Sequence, residues 1–100
     1  MKFGLNPSQY EFILQKVIGP IRLLGAEVYC FGSRARGDHK SFSDLDLMIE
    51  GKKDQSLETK VAEIREMLTN SSFPFKVDLV FYEDFVDSYK ADYQKQKALW

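Results

Sequence analysis

A chain of 100 residues with 44% hydrophobic content makes one domain, 1–100, because so short a chain cannot divide its core. It is too apolar for disorder, and its apolar runs are too short to span a membrane. The 14 basic and 15 acidic residues leave a net charge of −1, and the lysines are scattered, so no basic face for long nucleic acid is expected. The start, Met1-Lys2-Phe3-Gly4, has neither the apolar region nor the small-residue cleavage site of a signal peptide. Cys30, the lone cysteine, has no partner for an internal disulfide, which suits a reducing cytoplasm.

Asn6-Pro7-Ser8-Gln9 reads as a helix start, with Asn6 as N-cap, Pro7 at the first helical position and Gln9 reaching back. Tyr10, Ile13, Leu14 and Val17 recur at helical spacing, and Gly19-Pro20 is expected to end or kink the run. Gly25 is a C-cap candidate, and a strand follows over 27–31. Residues 33–37 suit a short helix, and 44–50 a second strand. Over 56–69, Leu57, Val61, Ile64 and Leu68 form one helical stripe. A third strand spans 76–82. Glu83-Asp84 then opens a helix carrying Phe85, Val86 and Tyr89, and the stretch from Ala91 to Trp100 reads as a largely polar tail. Strands separated by helices in a chain this small suggest a short mixed sheet with helices mainly on one side.

The chemistry lies in residues 32–46, GSRARGDHKSFSDLD. A glycine after a buried strand lets the backbone turn sharply and lets a ligand approach it. Asp44 and Asp46 are two apart on a strand, so both carboxylates share one face, while Leu45, Leu47 and Ile49 face a core. Adjacent carboxylates repel unless a positive charge sits between them. Mg²⁺ takes one or two carboxylates together with substrate phosphates. The Gly32-Ser33 turn offers N–H groups and a hydroxyl to phosphate oxygens. Asp78, in the middle of an apolar strand, needs a partner, a metal or water at a sheet edge, and Lys76 is the nearest cation in sequence.

The pattern GS-x₃-G-x₅-SD-x-DL, carried by Gly32, Ser33, Gly37, Ser43, Asp44, Asp46 and Leu47, resembles the signature of the nucleotidyltransferase superfamily with the DNA polymerase beta-like fold. It is most similar to the minimal nucleotidyltransferase (MNT) domains, and the likeness extends over nearly the whole chain. The resemblance implies an α/β (α+β) fold with a short mixed sheet. It implies Asp44, Asp46 and Asp78 as catalytic, metal-binding carboxylates for two Mg²⁺ ions, one on the triphosphate and one lowering the pKa of the attacking hydroxyl. Gly32 and Ser33 would hold the β- and γ-phosphates, with Arg36 and Ser43 as further nucleotide-binding candidates.

The same resemblance implies ATP as substrate and a helical HEPN-domain protein as partner. In such pairs the MNT protein is the antitoxin, and members transfer AMP to a tyrosine of the toxin. The chain stops soon after Asp78, so a partner is expected to supply the acceptor. A binding antitoxin that neutralises without catalysis is the alternative, and transfer to a small molecule such as an aminoglycoside ranks last. Arg34 and Arg36 suit either phosphate or solvent, Ser43 either phosphate or a loop cap, and His39 the surface. Cys30 suits the core. Tyr89, Tyr93 and Trp100 suit either core packing, the favoured reading, or a partner surface. A haloacid-dehalogenase phosphatase would place the apolar strand before its first aspartate, whereas here it comes after Asp44. Metal-binding D-x-D glycosyltransferases are generally much longer chains. No P-loop motif is present.

Overall fold

The computed structural model describes residues 2–100. Asn6 caps the first helix as its spacing predicts. Its Oδ1 accepts from the Gln9 N–H at 2.8 Å, and Gln9 Oε1 accepts from the Asn6 N–H at 3.0 Å. The helix α1 (Pro7–Ile13) widens into a π-helical turn over Leu14–Ile18 and resumes as α2 (Gly19–Leu23). The break expected at Gly19-Pro20 is therefore a bulge. Pro20 has no N–H to donate and crowds the preceding turn, and the wider turn gives it room. In that turn the Gly19 N–H reaches back to the Leu14 carbonyl.

The sheet has four strands in the order β3-β2-β1-β4, made of β1 (Glu27–Phe31), β2 (Leu45–Glu50), β3 (Val77–Phe81) and β4 (Ala98–Leu99). β2 pairs antiparallel with β1 and parallel with β3, and β4 lies antiparallel on the far side of β1. Parallel neighbours need a crossover. The helix α4 (Gln55–Asn70) supplies it, capped by Asp54, whose Oδ1 accepts from the Leu57 N–H at 2.9 Å. The architecture is mixed α+β.

One face of the sheet is the core. Val28, Cys30, Leu45, Leu47, Ile49, Leu79 and Phe81 meet Ile13, Val17, Ile18 and Ile21 from the first helical run and Leu57, Val61 and Ile64 from α4. The register puts Tyr29, Phe31, Asp46, Met48, Glu50, Asp78 and Val80 on the other face. That face is partly covered by α5 (Asp87–Gln96), whose Tyr93 donates to Glu50 and meets Phe31 edge to face. Lys97 completes the contact, with Nζ 3.0 Å from Glu50 Oε2.

The C-terminal segment departs from the sequence expectation. Tyr82–Asp84 is a single 3₁₀ turn, and Phe85 and Val86 run extended. The helix starts at Asp87, takes in most of the expected polar tail, and is followed by β4. The extended link lets Phe85 reach Phe31 and Tyr93, with ring centroids 5.7 Å and 5.9 Å away. Tyr93 and Trp100 are core residues, 3% and 5% exposed. Trp100 stacks on Tyr10 at 5.1 Å and lies 5.1 Å from Phe3, and its backbone N–H donates to the Val28 carbonyl at 3.2 Å. No described helix is long and apolar enough to cross a membrane.

A two-residue strand has little pairing of its own, so β4 depends on this aromatic anchor. Trp100→Ala is expected to cost about 3 kcal/mol, read as a lowered urea midpoint.

Candidate active site

The end of β1 turns at Gly32, with φ 74° and ψ −157°, into the single-turn helix α3 (Ser33–Arg36). Gly37 closes it at φ 86°. Two constraints require glycine at position 32. Its φ lies where other residues are strained, and a methyl group there would overlap Asp46 Oδ2. The backbone of the turn is thus pressed directly against a carboxylate.

Asp46 and Asp78 are register partners on the parallel pair β2–β3, and Phe31, the residue before Gly32, is the partner of Asp46 on β1. Asp44, exposed, stands at the mouth of β2 on the same face. The carboxylates therefore form a row that crosses the sheet and ends at the glycine turn. Among the described residues, none of the three forms an ion pair, and their side chains accept no hydrogen bond from protein groups. Burial pushes the Asp46 pKa up to about 6. The charges of Asp78 and Asp44 push it the same way, with partial relief from Lys76 and Arg36.

Among the described residues, no three acidic, histidine or cysteine side chains are already drawn around one point as a metal cage. The donor set nevertheless suits Mg²⁺, which asks for one or two carboxylates and completes its shell with phosphate and water. Asp44, Asp46 and Asp78 would be the residues to hold it.

Ser33 is the first residue of α3, beside this row. Arg36 is exposed, with Nε 3.1 Å from Asp38 Oδ2 and Nη1 3.2 Å from Gln96 Oε1. Ser43 sits in the loop entering β2, where its Oγ accepts from the Lys40 N–H at 2.8 Å, a loop-capping role. Lys76, next to Asp78, was not singled out for the site on sequence. Its charge acts on Asp46, and the lysine two residues before a strand aspartate was the available signal.

Arg34 takes neither role open to it on sequence. It is 2% exposed and turned inward. Its Nε donates to the Ser43 carbonyl at 3.0 Å, Nη1 to Phe3 at 2.9 Å and Nη2 to Ser41 at 3.1 Å, and the guanidinium lies 4.0 Å from the centre of the Phe75 ring. The planar fork ties the N-terminal segment, the loop over 38–44 and the approach to β3 into one unit. His39 is likewise half-buried rather than on the surface, because its ring packs against Gly4. Cys30 is core, and burial pushes its thiol up to about 12, so it is inert.

Two cavities flank the row. One, of about 300 Å³, opens beside Asp78 between α4 and β3, with Arg65, Thr69, Phe73, Phe75 and Lys76 around it. The other, of about 160 Å³, opens beside Gly32 under α5.

Arg34→Lys is expected to cost about 2–3 kcal/mol, because one ammonium cannot span three carbonyls; a lowered denaturation midpoint reads it. For Asp46 the folded-state pKa lies above the unfolded value, so the native state holds the proton more tightly between pH 4 and 6. Its contribution favours folding below about pH 4 and is lost as pH rises through 6. In metal-free buffer at pH 7, Asp46→Asn is therefore expected to raise stability by about 1–2 kcal/mol after allowance for partial solvation, and the gain should vanish by pH 4. Urea melts of both proteins at the two pH values check this.

The sequence was compared with known families, curated proteins and solved structures. No curated protein matches. A crystal structure from Sulfolobus solfataricus, described as a candidate nucleotidyltransferase, aligns with 96% of this chain and 88% of its own, at 24% identity and a TM-score of 0.45. The model of the nucleotidyltransferase domain family matches residues 13–100, which takes in the glycine turn, all three aspartates and the whole sheet. The chain belongs to the nucleotidyltransferase domain family.

Proposed function

We propose that the protein is a Mg²⁺-dependent nucleotidyltransferase that moves AMP from ATP to a hydroxyl acceptor, a tyrosine of a helical HEPN-domain toxin, and so acts as the antitoxin of the pair. The observation that carries the reading is the register pairing of Asp46 with Asp78 against the Gly32 backbone. Two half-buried carboxylates side by side, without a protein cation in contact, repel each other, and a shared cation relieves that repulsion.

Bound there, magnesium neutralises the triphosphate and lowers the pKa of the attacking hydroxyl. The protein's own groups do the rest. The Gly32-Ser33 turn holds the β- and γ-phosphates by backbone N–H groups and the Ser33 hydroxyl, and Arg36 adds positive charge at its edge. Asp44 and Asp46, with Asp78, would supply the carboxylates that hold the metal. The acceptor oxygen enters from the β3 side, where the cavity next to Asp78 lies. Asp78 accepts the hydroxyl proton, the acceptor oxygen bonds to the α-phosphorus, and the bond to the β-phosphate breaks, releasing pyrophosphate. The product is a phosphodiester between AMP and the acceptor.

The walls of the acceptor cavity favour this assignment over an aminoglycoside. Arg65 and Lys76 repel a polycation, while Phe73 and Phe75 suit an aromatic ring.

Isothermal titration with ATP tests the reading, with and without Mg²⁺, beside the Asp44→Ala/Asp46→Ala variant. Binding that needs the metal and is lost in the variant is expected. A blank, repeated in the presence of the HEPN partner, would sink the enzyme and leave an antitoxin that neutralises by complex formation alone. Mg²⁺ is also expected to raise the Tm of the wild type and leave that of the double variant unchanged, a readout independent of turnover.

A further inference from the structure

The cavity beside Gly32 adjoins the phosphate turn through Gly32 and Arg36, but its α5 wall has no role in the transfer step. It opens on the carboxylate face of the sheet, since its wall residue Phe31 is the register partner of Asp46. Phe85 and Tyr93 close it from behind, and Tyr89 forms its outer wall. Tyr89 is 60% exposed, and its ring centroid is 6.1 Å from that of Phe85. An exposed aromatic beside the phosphate turn, with its ring set against Phe85, is a platform for a flat ligand.

The rim is polar. Gln96 Oε1 already accepts from Arg36, which holds α5 against α3 and leaves the amide NH₂ of Gln96 free to donate. Among the described residues, Asp92 forms no ion pair, and its carboxylate is an open acceptor. A donor and an acceptor around an aromatic slot match the edge and face of a nucleobase. At about 160 Å³ the slot is well below the roughly 300–1,000 Å³ that encloses a drug-sized ligand. It therefore takes one heterocycle, with sugar and phosphates outside it along the Gly32-Ser33 turn.

We propose that the slot between α5 and Gly32 seats the base of the nucleoside triphosphate, that Tyr89 stacks on it, and that Asp92 and Gln96 read its edge, so that purine nucleotides are preferred over pyrimidines. This rests on the nucleotidyltransferase reading above and adds the residues that choose the nucleotide. Stacking area sets the preference, because a purine covers more of the Tyr89 face. The segment that does the choosing is α5, outside the glycine-serine and aspartate motifs.

The test is isothermal titration in Mg²⁺ with ATP, GTP, UTP and inorganic tripolyphosphate, on wild type, Tyr89→Ala and Asp92→Ala. In the wild type, ATP and GTP should bind at least about tenfold tighter than tripolyphosphate, with UTP between them. Tyr89→Ala should remove about tenfold of ATP affinity and leave tripolyphosphate binding unchanged. Asp92→Ala, on the exposed side of α5, is a second variant that does not touch the core and should narrow the gap between ATP and tripolyphosphate. If tripolyphosphate binds as tightly as ATP, or Tyr89→Ala binds ATP like wild type, the base slot is overturned while the phosphate site stands. If neither ligand binds the wild type, alone or with the HEPN partner present, both readings fall together.

Discussion

The structure turns on one unfavourable contact, two aspartates held side by side by a parallel strand pair with a glycine turn pressed against one of them. Parallel pairing fixes Asp46 opposite Asp78, and the buried residues that alternate with them leave no freedom to slip. Moving β2 by one residue would turn Leu45, Leu47 and Ile49 away from the core, and moving β3 would do the same to Leu79 and Phe81. The energy of the core thus holds two like charges at a spacing they would not choose, and burial raises the Asp46 pKa further. Under the proposed function, a divalent cation would relieve that repulsion.

The neighbouring elements keep this contact open and oriented. The absent side chain at Gly32 leaves room for the Asp46 carboxylate, which a methyl group there would overlap. Arg34, one position beyond the serine of the glycine-serine turn, looks like a phosphate ligand in sequence and is a brace in the structure. By bonding three carbonyls it fixes the loop that delivers Asp44 to β2, and Phe75 covers its face at the entry to β3. The phosphate turn and the aspartate loop therefore share one internal fastening, although the sequence between them is polar and irregular.

The elements that could be read from sequence are those whose signal is local. The capping box at Asn6 and Gln9, the stripe on α4 and the alternation through Asp44–Ile49 each act within a few residues, and each appears where its pattern puts it. The site was legible for a related reason, since glycine, serine and two aspartates lie within one turn and one strand. What was illegible depends on partners far away in the chain. Nothing near Arg34 marks the Ser41, Ser43 and Phe3 carbonyls as its acceptors. Pro20 reads as an end or a kink because its local cost is certain, and the π turn that absorbs it is accompanied by burial of Val17, Ile18 and Ile21.

The C-terminal segment shows the same limit and gives it functional meaning. α5 has one buried residue, Tyr93, so it carries almost no amphipathic pattern, and β4 is too short to show alternation. Both are placed by single aromatic anchors: Tyr93 on Glu50 and Phe31, and Trp100 on Tyr10. Few contacts over a mostly polar helix make α5 one of the least tightly held parts of the fold, though it sits over the face where the nucleotide and metal are expected. An element that must frame a ligand cannot spend its whole surface on the core. Its outward polar residues read as a largely polar tail in sequence because only Tyr93 on this helix is buried.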